Sequence, residues 1–132
     1  MDTGRKGQTS LEFLVMLTMM LLVFTAMVSV INRRRNSLSD QRVSLQGVSV
    51  ADRIGYELDM ALVQGDGYHH GFDLRKFIGS HEYSINVEEG YIRVNWTDKN
   101  VFSSTAVQNL SGDIEPGYNR IMNDEGQIKV VG

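Results

Sequence analysis

The chain carries three hydrophobic patterns in succession. From Leu11 to Ile31 apolar residues run almost unbroken, and Glu12 is the single charge among these 21 residues. From Leu45 the apolar positions recur at steps of three and four, through Val48, Ala51, Ile54, Leu58, Ala61 and Leu62. That is the period of a helix with one apolar face. Beyond Gly67 the period falls to two, the signature of strands.

Each pattern predicts an element. A helix over 11–31 covers ~30 Å at ~1.5 Å per residue, the thickness of a bilayer core. Met16, Met19, Met20 and Met27 within it read as apolar filler. Asn36 to Arg42 is polar and weakly helical, so a bend or local melting is expected there. Helix 45–62 needs a cover for its apolar face, and Arg53, Glu57 and Asp59 fall elsewhere on the wheel. Gly47 and Gly55 each cost that helix roughly 1 kcal/mol and point to a bend or to close packing. Gln64-Gly65-Asp66-Gly67 stops it, with Gly65 suited to a left-handed cap.

The clearest hairpin is Tyr83-Ser84-Ile85-Asn86-Val87 with Tyr91-Ile92-Arg93-Val94-Asn95-Trp96. A two-residue turn at Glu89-Gly90 sets Val87 opposite Ile92, Ile85 opposite Val94 and Tyr83 opposite Trp96. All six then share one face. Ser84, Asn86, Arg93 and Asn95 share the other, which is wet. Tyr68 to Phe77 supplies one more strand, Val101 to Leu110 reads as short and irregular, and Pro116-Gly117 is a turn. Tyr118 to Met122 and Gln127 to Val131 form a closing hairpin. The expected fold is therefore α+β: a long N-terminal helix packed on a small antiparallel β domain of five or six strands. The expected division is a leader at 1–7, a helix at 8–64 with its membrane or assembly segment at 11–31, and a β domain at 65–132.

Composition narrows the chemistry. With no cysteine there is no disulfide framework, thiolate metal site or cysteine nucleophile. The formal net charge is −3. Loss of residues 1–7 removes two cations and one anion and makes it −4, an acidic balance that argues against a nucleic-acid partner. His69 and His70 are adjacent, so on a strand they point to opposite faces and do not share an ion. With His81 they read as solvated strand residues, and no metal is expected. Asp66, Asp73, Glu88 and Glu89 form no calcium-loop pattern. No nucleophile, base and oxyanion donor assemble, so the chain reads as a non-enzyme without a cofactor.

Two features at the N-terminus are unusual. An ionisable Glu12 inside an apolar edge costs a few kcal/mol unless it is paired. A secretory signal has its small-residue cleavage site after the apolar run, whereas Gly7-Gln8 precedes it. Cutting there removes the charged tip and leaves the apolar helix on the mature chain. Lys6, Gly7, Gln8, Ser10 and Glu12 stand in an arrangement that resembles archaeal type IV pilin-like proteins with a class III signal peptide. The bacterial pilin pattern, with an aromatic first mature residue, fits less well because position 8 is Gln.

The resemblance implies that a prepilin peptidase cuts between Gly7 and Gln8, with Lys6 and Ser10 part of the processing motif. It implies that Glu12 belongs to the assembly interface, near the new α-amine of Gln8. The partners it implies are that peptidase, the membrane before assembly, and copies of the chain or other pilins. The chain after the helix also resembles the small β domains that follow this leader. It has a Gly-Asp-Gly-Tyr helix exit, a Tyr-rich hairpin with Trp, a Ser-Gly-Asp-Ile-x-Pro-Gly loop and a closing hairpin.

The function expected is a major or minor subunit of a surface filament for adhesion, a membrane protein as precursor and a cell-surface protein when assembled. Asn95-Trp96-Thr97 and Asn109-Leu110-Ser111 are acceptor sequons and make Asn95 and Asn109 glycosylation candidates. Exposed Tyr91 and Tyr118 are expected to shape the displayed surface. The alternative is a single-pass anchor carrying an extracellular binding domain that does not polymerise. Arg33-Arg34-Arg35 after the apolar run outnumber Arg5 and Lys6 before it. A plain positive-inside count would leave the C-terminal part in the cytoplasm, against the motif and the sequons. In a filament these arginines would face acids such as Asp40 or Asp52 of neighbours.

Overall fold

The computed structural model describes residues 3–131, with side chains from residue 7 onward. One α-helix, α1, runs Thr3–Gln64. Seven strands follow: β1 His69–Asp73, β2 Tyr83–Glu88, β3 Tyr91–Trp96, β4 Lys99–Ser104, β5 Leu110–Ser111, β6 Tyr118–Asp124 and β7 Gln127–Val131. They form two sheets, one ordered β1-β6-β7-β5 and one ordered β2-β3-β4. The architecture is α+β, a long N-terminal helix packed on antiparallel sheets, as the periodicities predict.

The helix differs from expectation at two places. Residues 3–7 are helical, although a short polar leader was expected to stay unfolded. An isolated peptide of that length cannot nucleate a helix, but one joined to a formed helix needs only propagation. Met1 and Asp2 of the leader lie outside the described residues. Asn36–Arg42 shows no break either, because its residues are mediocre rather than breaking and helix stands on both sides. Gly65 ends α1 in the left-handed region at φ 83°, as its place after Gln64 predicts.

The chain divides into two compact units, Met1–Asp40 and Gln41–Gly132. Helix residues 41–64 thus belong with the strands. In this unit α1 buries Gly47, Val50, Ala51, Ile54, Leu58 and Ala61. Val48 and Leu62 stay exposed, so the buried stripe is rotated from the one read off the sequence. Close approach to β3 sets the rotation. A Cβ on Gly47 would lie 2.5 Å from Cζ3 of Trp96. One on Gly55 would lie 3.1 Å from the Ser104 carbonyl oxygen and 3.4 Å from Ile92 Cδ1. The two glycines serve close packing.

The hairpin register is the one that alternation predicts, with Val87 opposite Ile92, Ile85 opposite Val94 and Tyr83 opposite Trp96. Glu89 at φ 50° and Gly90 at φ 82° make the two-residue turn, left-handed at both positions as a type I′ turn requires. The closing hairpin turns the same way at Glu125-Gly126, with Asp124 opposite Gln127. The stretch expected to be irregular contains β4 and the two-residue β5, which raises the strand count to seven. Val101 and Ser103 alternate inward there, but small and polar neighbours blur the period. β5 also pairs parallel to β7, the one parallel ladder among the described residues.

One core joins helix and sheets. Ile54, Leu58, Ile92, Val94, Ile121 and Ile128 are at most 1 % exposed. Each is worth roughly 1.5–3 kcal/mol relative to an exposed side chain. Polar groups tie its rim. Asn123 donates from Nδ2 to the Ala61 carbonyl at 2.9 Å and satisfies an orphan acceptor at the helix end. Asp59 accepts from Thr105 Oγ1 at 2.6 Å and from the Ala106 amide at 2.8 Å. The Tyr83 hydroxyl donates to the Arg75 carbonyl.

Two stability changes follow from this packing. Gly47→Ala improves helix propensity by ~1 kcal/mol but drives a methyl into the buried Trp96 ring. Overpacking of this kind costs about 1–3 kcal/mol, so the net change is destabilising. Urea unfolding followed by emission of Trp96, the single tryptophan, measures it. Burial raises the pKa of Tyr83 above its ordinary value, Arg75 nearby lowers it and Asp73 raises it. The neutral phenol is thus favoured in the folded state, and its stabilisation is complete below the unfolded pKa of about 10. It is lost as pH rises through the higher folded value. Tyr83→Phe is expected to flatten that alkaline loss and to cost about 1 kcal/mol at neutral pH.

Candidate functional site: the N-terminal helix face and the outer sheet face

Every residue from Gly7 to Arg42 is exposed. This segment of α1 holds the apolar run, and none of that window is buried. By length and composition α1 is able to cross a membrane, which fits an N-terminal anchor. The two threonines of the apolar run satisfy their hydroxyls inside the helix. Thr18 Oγ1 donates to the Leu14 carbonyl and Thr25 Oγ1 to the Leu21 carbonyl, both at 2.8 Å. Back-bonding of this kind keeps these two hydroxyls satisfied in an apolar medium.

Gly7, Gln8, Ser10 and Glu12 lie within less than two turns of this exposed helix. Lys6 is helical in its backbone, and its side chain lies outside the described residues. Gln8 and Glu12 are four apart, hence on one face. The nitrogen of Gln8 is an uncharged amide in the intact chain. Only cleavage before it creates an ammonium one turn from the Glu12 carboxylate. Leu11, Phe13, Val15 and Met16 surround Glu12 with apolar surface. Arg33, Arg34 and Arg35 are exposed. Of their expected acidic partners, Asp52 accepts from Ser103 Oγ at 2.9 Å within its own unit.

The histidines are split as their adjacency predicts. His70 Nε2 lies 3.6 Å from Glu57 Oε2 and its ring stacks on Tyr68. His69 Nδ1 lies 3.3 Å from the Gly67 carbonyl instead. His81 bridges Ile78 through its backbone. Among the described residues no group of three His, Asp or Glu gathers. Glu57 and Asp59 differ from expectation, since the strands cover the side of the helix that carries them. Glu57 is only 7 % exposed, and Arg53 Nη2 approaches its Oε1 at 3.9 Å. Asp66 accepts from the Glu125 amide at 2.8 Å and Glu88 from Asn86 Nδ2 at 3.2 Å.

The two sequons sit in unlike places. Asn95 is half-buried in the middle strand, opposite Ser84 and Asn100. Its Thr97 is left-handed at φ 50°, unusual for a β-branched residue. Asn109 is exposed just before β5. Tyr91 and Tyr118 are exposed, as expected.

Sequence reasoning missed one site. On the outer face of β2-β3-β4, Arg93 stands between Asn86 and Phe102 in register. Its guanidinium lies over the Phe102 ring, 5.1 Å from the centroid, within cation–π range. With Glu88, Glu89 and Tyr91 these residues line a groove of about 380 Å³. Phe102 does not stand out in the sequence because its strand carries small and polar residues that make it look irregular. The period-two pattern Asn100-Phe102-Ser104 against Val101-Ser103 was the available signal. No family model, curated protein or solved structure matches this chain.

Proposed function

We propose that the chain is a subunit of an archaeal type IV pilus-like surface filament. The observation that supports it most is Glu12, one carboxylate on an exposed apolar helix, four residues after Gln8 of the Gly7-Gln8 pair. In this reading the precursor sits in the membrane by residues 11–31. A prepilin peptidase cuts before Gln8. The apolar helix then exchanges lipid for copies of itself or for other pilins. Burial of Glu12 in that packing demands a cation, and the new ammonium of Gln8 on an adjacent subunit supplies it. The unit 41–131 is displayed outside for adhesion, and the subunit is structural, without catalysis or cofactor. The groove beside Arg93 favours a second reading, a membrane-anchored binding domain that does not polymerise.

The N-terminal residue of the protein in filaments sheared from its native cells separates the two. The filament reading expects Gln8 first. A chain starting at Met1 or Asp2, found only in membranes, leaves the anchored domain. Glu12→Gln is expected to be processed normally and to yield no filaments, and normal filaments from that variant would sink the assembly role. If the displayed unit is modified after folding, native peptide masses carry a glycan at exposed Asn109 and none at half-buried Asn95.

A further inference from the structure

The outer groove of β2-β3-β4 combines features that a merely solvated sheet face does not need. Tyr91 and Phe102 are 63 % and 56 % exposed. Exposed rings of this size are costly to leave in water and are enriched where partners bind. Arg93 stands between Asn86 and Phe102. Among the described residues it makes no ion pair. Its fork of donors therefore remains available, while the Phe102 ring holds the guanidinium in place. A pre-positioned side chain loses less freedom on binding. Glu88 and Glu89 add acceptors, and the Asn86 amide, which gives one N–H to Glu88 Oε1, adds its second N–H and its carbonyl oxygen. The volume falls at the lower end of ligand clefts, ~300–1,000 Å³.

The chemistry of this lining selects its occupant. It offers donors and acceptors side by side next to aromatic surface. A polyol with apolar C–H faces answers all three, because each hydroxyl both donates and accepts. The C–H bonds carry partial positive charge and suit the negative face of an aromatic ring. Two carboxylates against one guanidinium disfavour an anionic ligand. We propose that this groove binds a neutral saccharide chain, with ring faces against Tyr91 and Phe102 and hydroxyls shared between Arg93, Asn86 and the Glu88-Glu89 carboxylates. The site lies in the compact unit Gln41–Gly132 and needs neither processing nor assembly. Loss of filaments leaves it standing, and its failure leaves the filament reading standing.

The test uses the full chain in a zwitterionic detergent free of sugar. Immobilised neutral oligosaccharides (β-1,4-glucan, α-mannan and β-1,4-N-acetylglucosamine chains) are compared with sulfated and uronic-acid chains and with oligolysine. Retention on at least one neutral chain is expected. Arg93→Ala and Phe102→Ala are each expected to weaken it by roughly tenfold or more. Tyr118→Ala, an exposed tyrosine on the other sheet, is expected to leave it unchanged. All three positions are exposed, and unaltered Trp96 emission verifies that each variant is folded. Three results overturn the proposal: no retention on any neutral chain, retention only on the anionic chains or oligolysine, or retention that survives either groove substitution.

Discussion

The unit 41–131 depends on one constraint: the apolar stripe of α1 from Gly47 to Ala61 has to be covered, and it is covered by strands of both sheets. Trp96 and Ile92 of β3 meet it at Gly47 and Gly55. Asn123 of β6 meets it at the Ala61 carbonyl. Neither sheet is large, since β2-β3-β4 has three strands and the other four. Sharing one helix gives both a common interior. The absence of a side chain at 47 and 55 lets the helix come close enough for this.

Burial of that stripe brings backbone and polar groups with it, and the structure answers them locally. Asn119 brackets the Pro116-Gly117 turn, accepting from the Glu115 amide and donating to the Glu115 and Gly117 carbonyls. Asn123 accepts from the Gly126 amide while it donates to the helix. Among the described residues no buried side-chain nitrogen or oxygen lacks a partner. These contacts matter more here than in a larger domain, because a unit of this size has little hydrophobic surplus and no disulfide to restrain its unfolded chain.

One helix therefore serves two solvents. Its residues 7–42 are exposed and, from Leu11 to Ile31, nearly all apolar, a surface suited to lipid or to other helices. Its residues from 47 to 61 are amphipathic and already matched within the chain. Glu12 is the point at which the first solvent is least comfortable, and this is why its chemistry dominates the proposed function. The outer face of β2-β3-β4 is the opposite case: a wet surface whose Tyr91 and Phe102 rings stay exposed, with Arg93 over the Phe102 ring.

The sequence by itself determined the helical stretches, the two hairpins and one full register. Apolar length defined the first helical stretch, the three-and-four period the second, and alternation across Glu89-Gly90 aligned Tyr83 with Trp96. These signals are local, and local patterns survive in one dimension. Tertiary structure decided what depends on distant neighbours. It rotated the buried stripe onto Gly47 and Val50 and away from Val48 and Leu62. It covered Glu57, which looked solvated on a helical wheel, because β1 brings His70 beside it. It paired β5 with β7 in parallel, a contact no turn encodes. It also set Phe102 beside Arg93. Two residues nine apart become neighbours only when a third strand folds back, and the alternation that marks this strand is blurred by its small and polar residues.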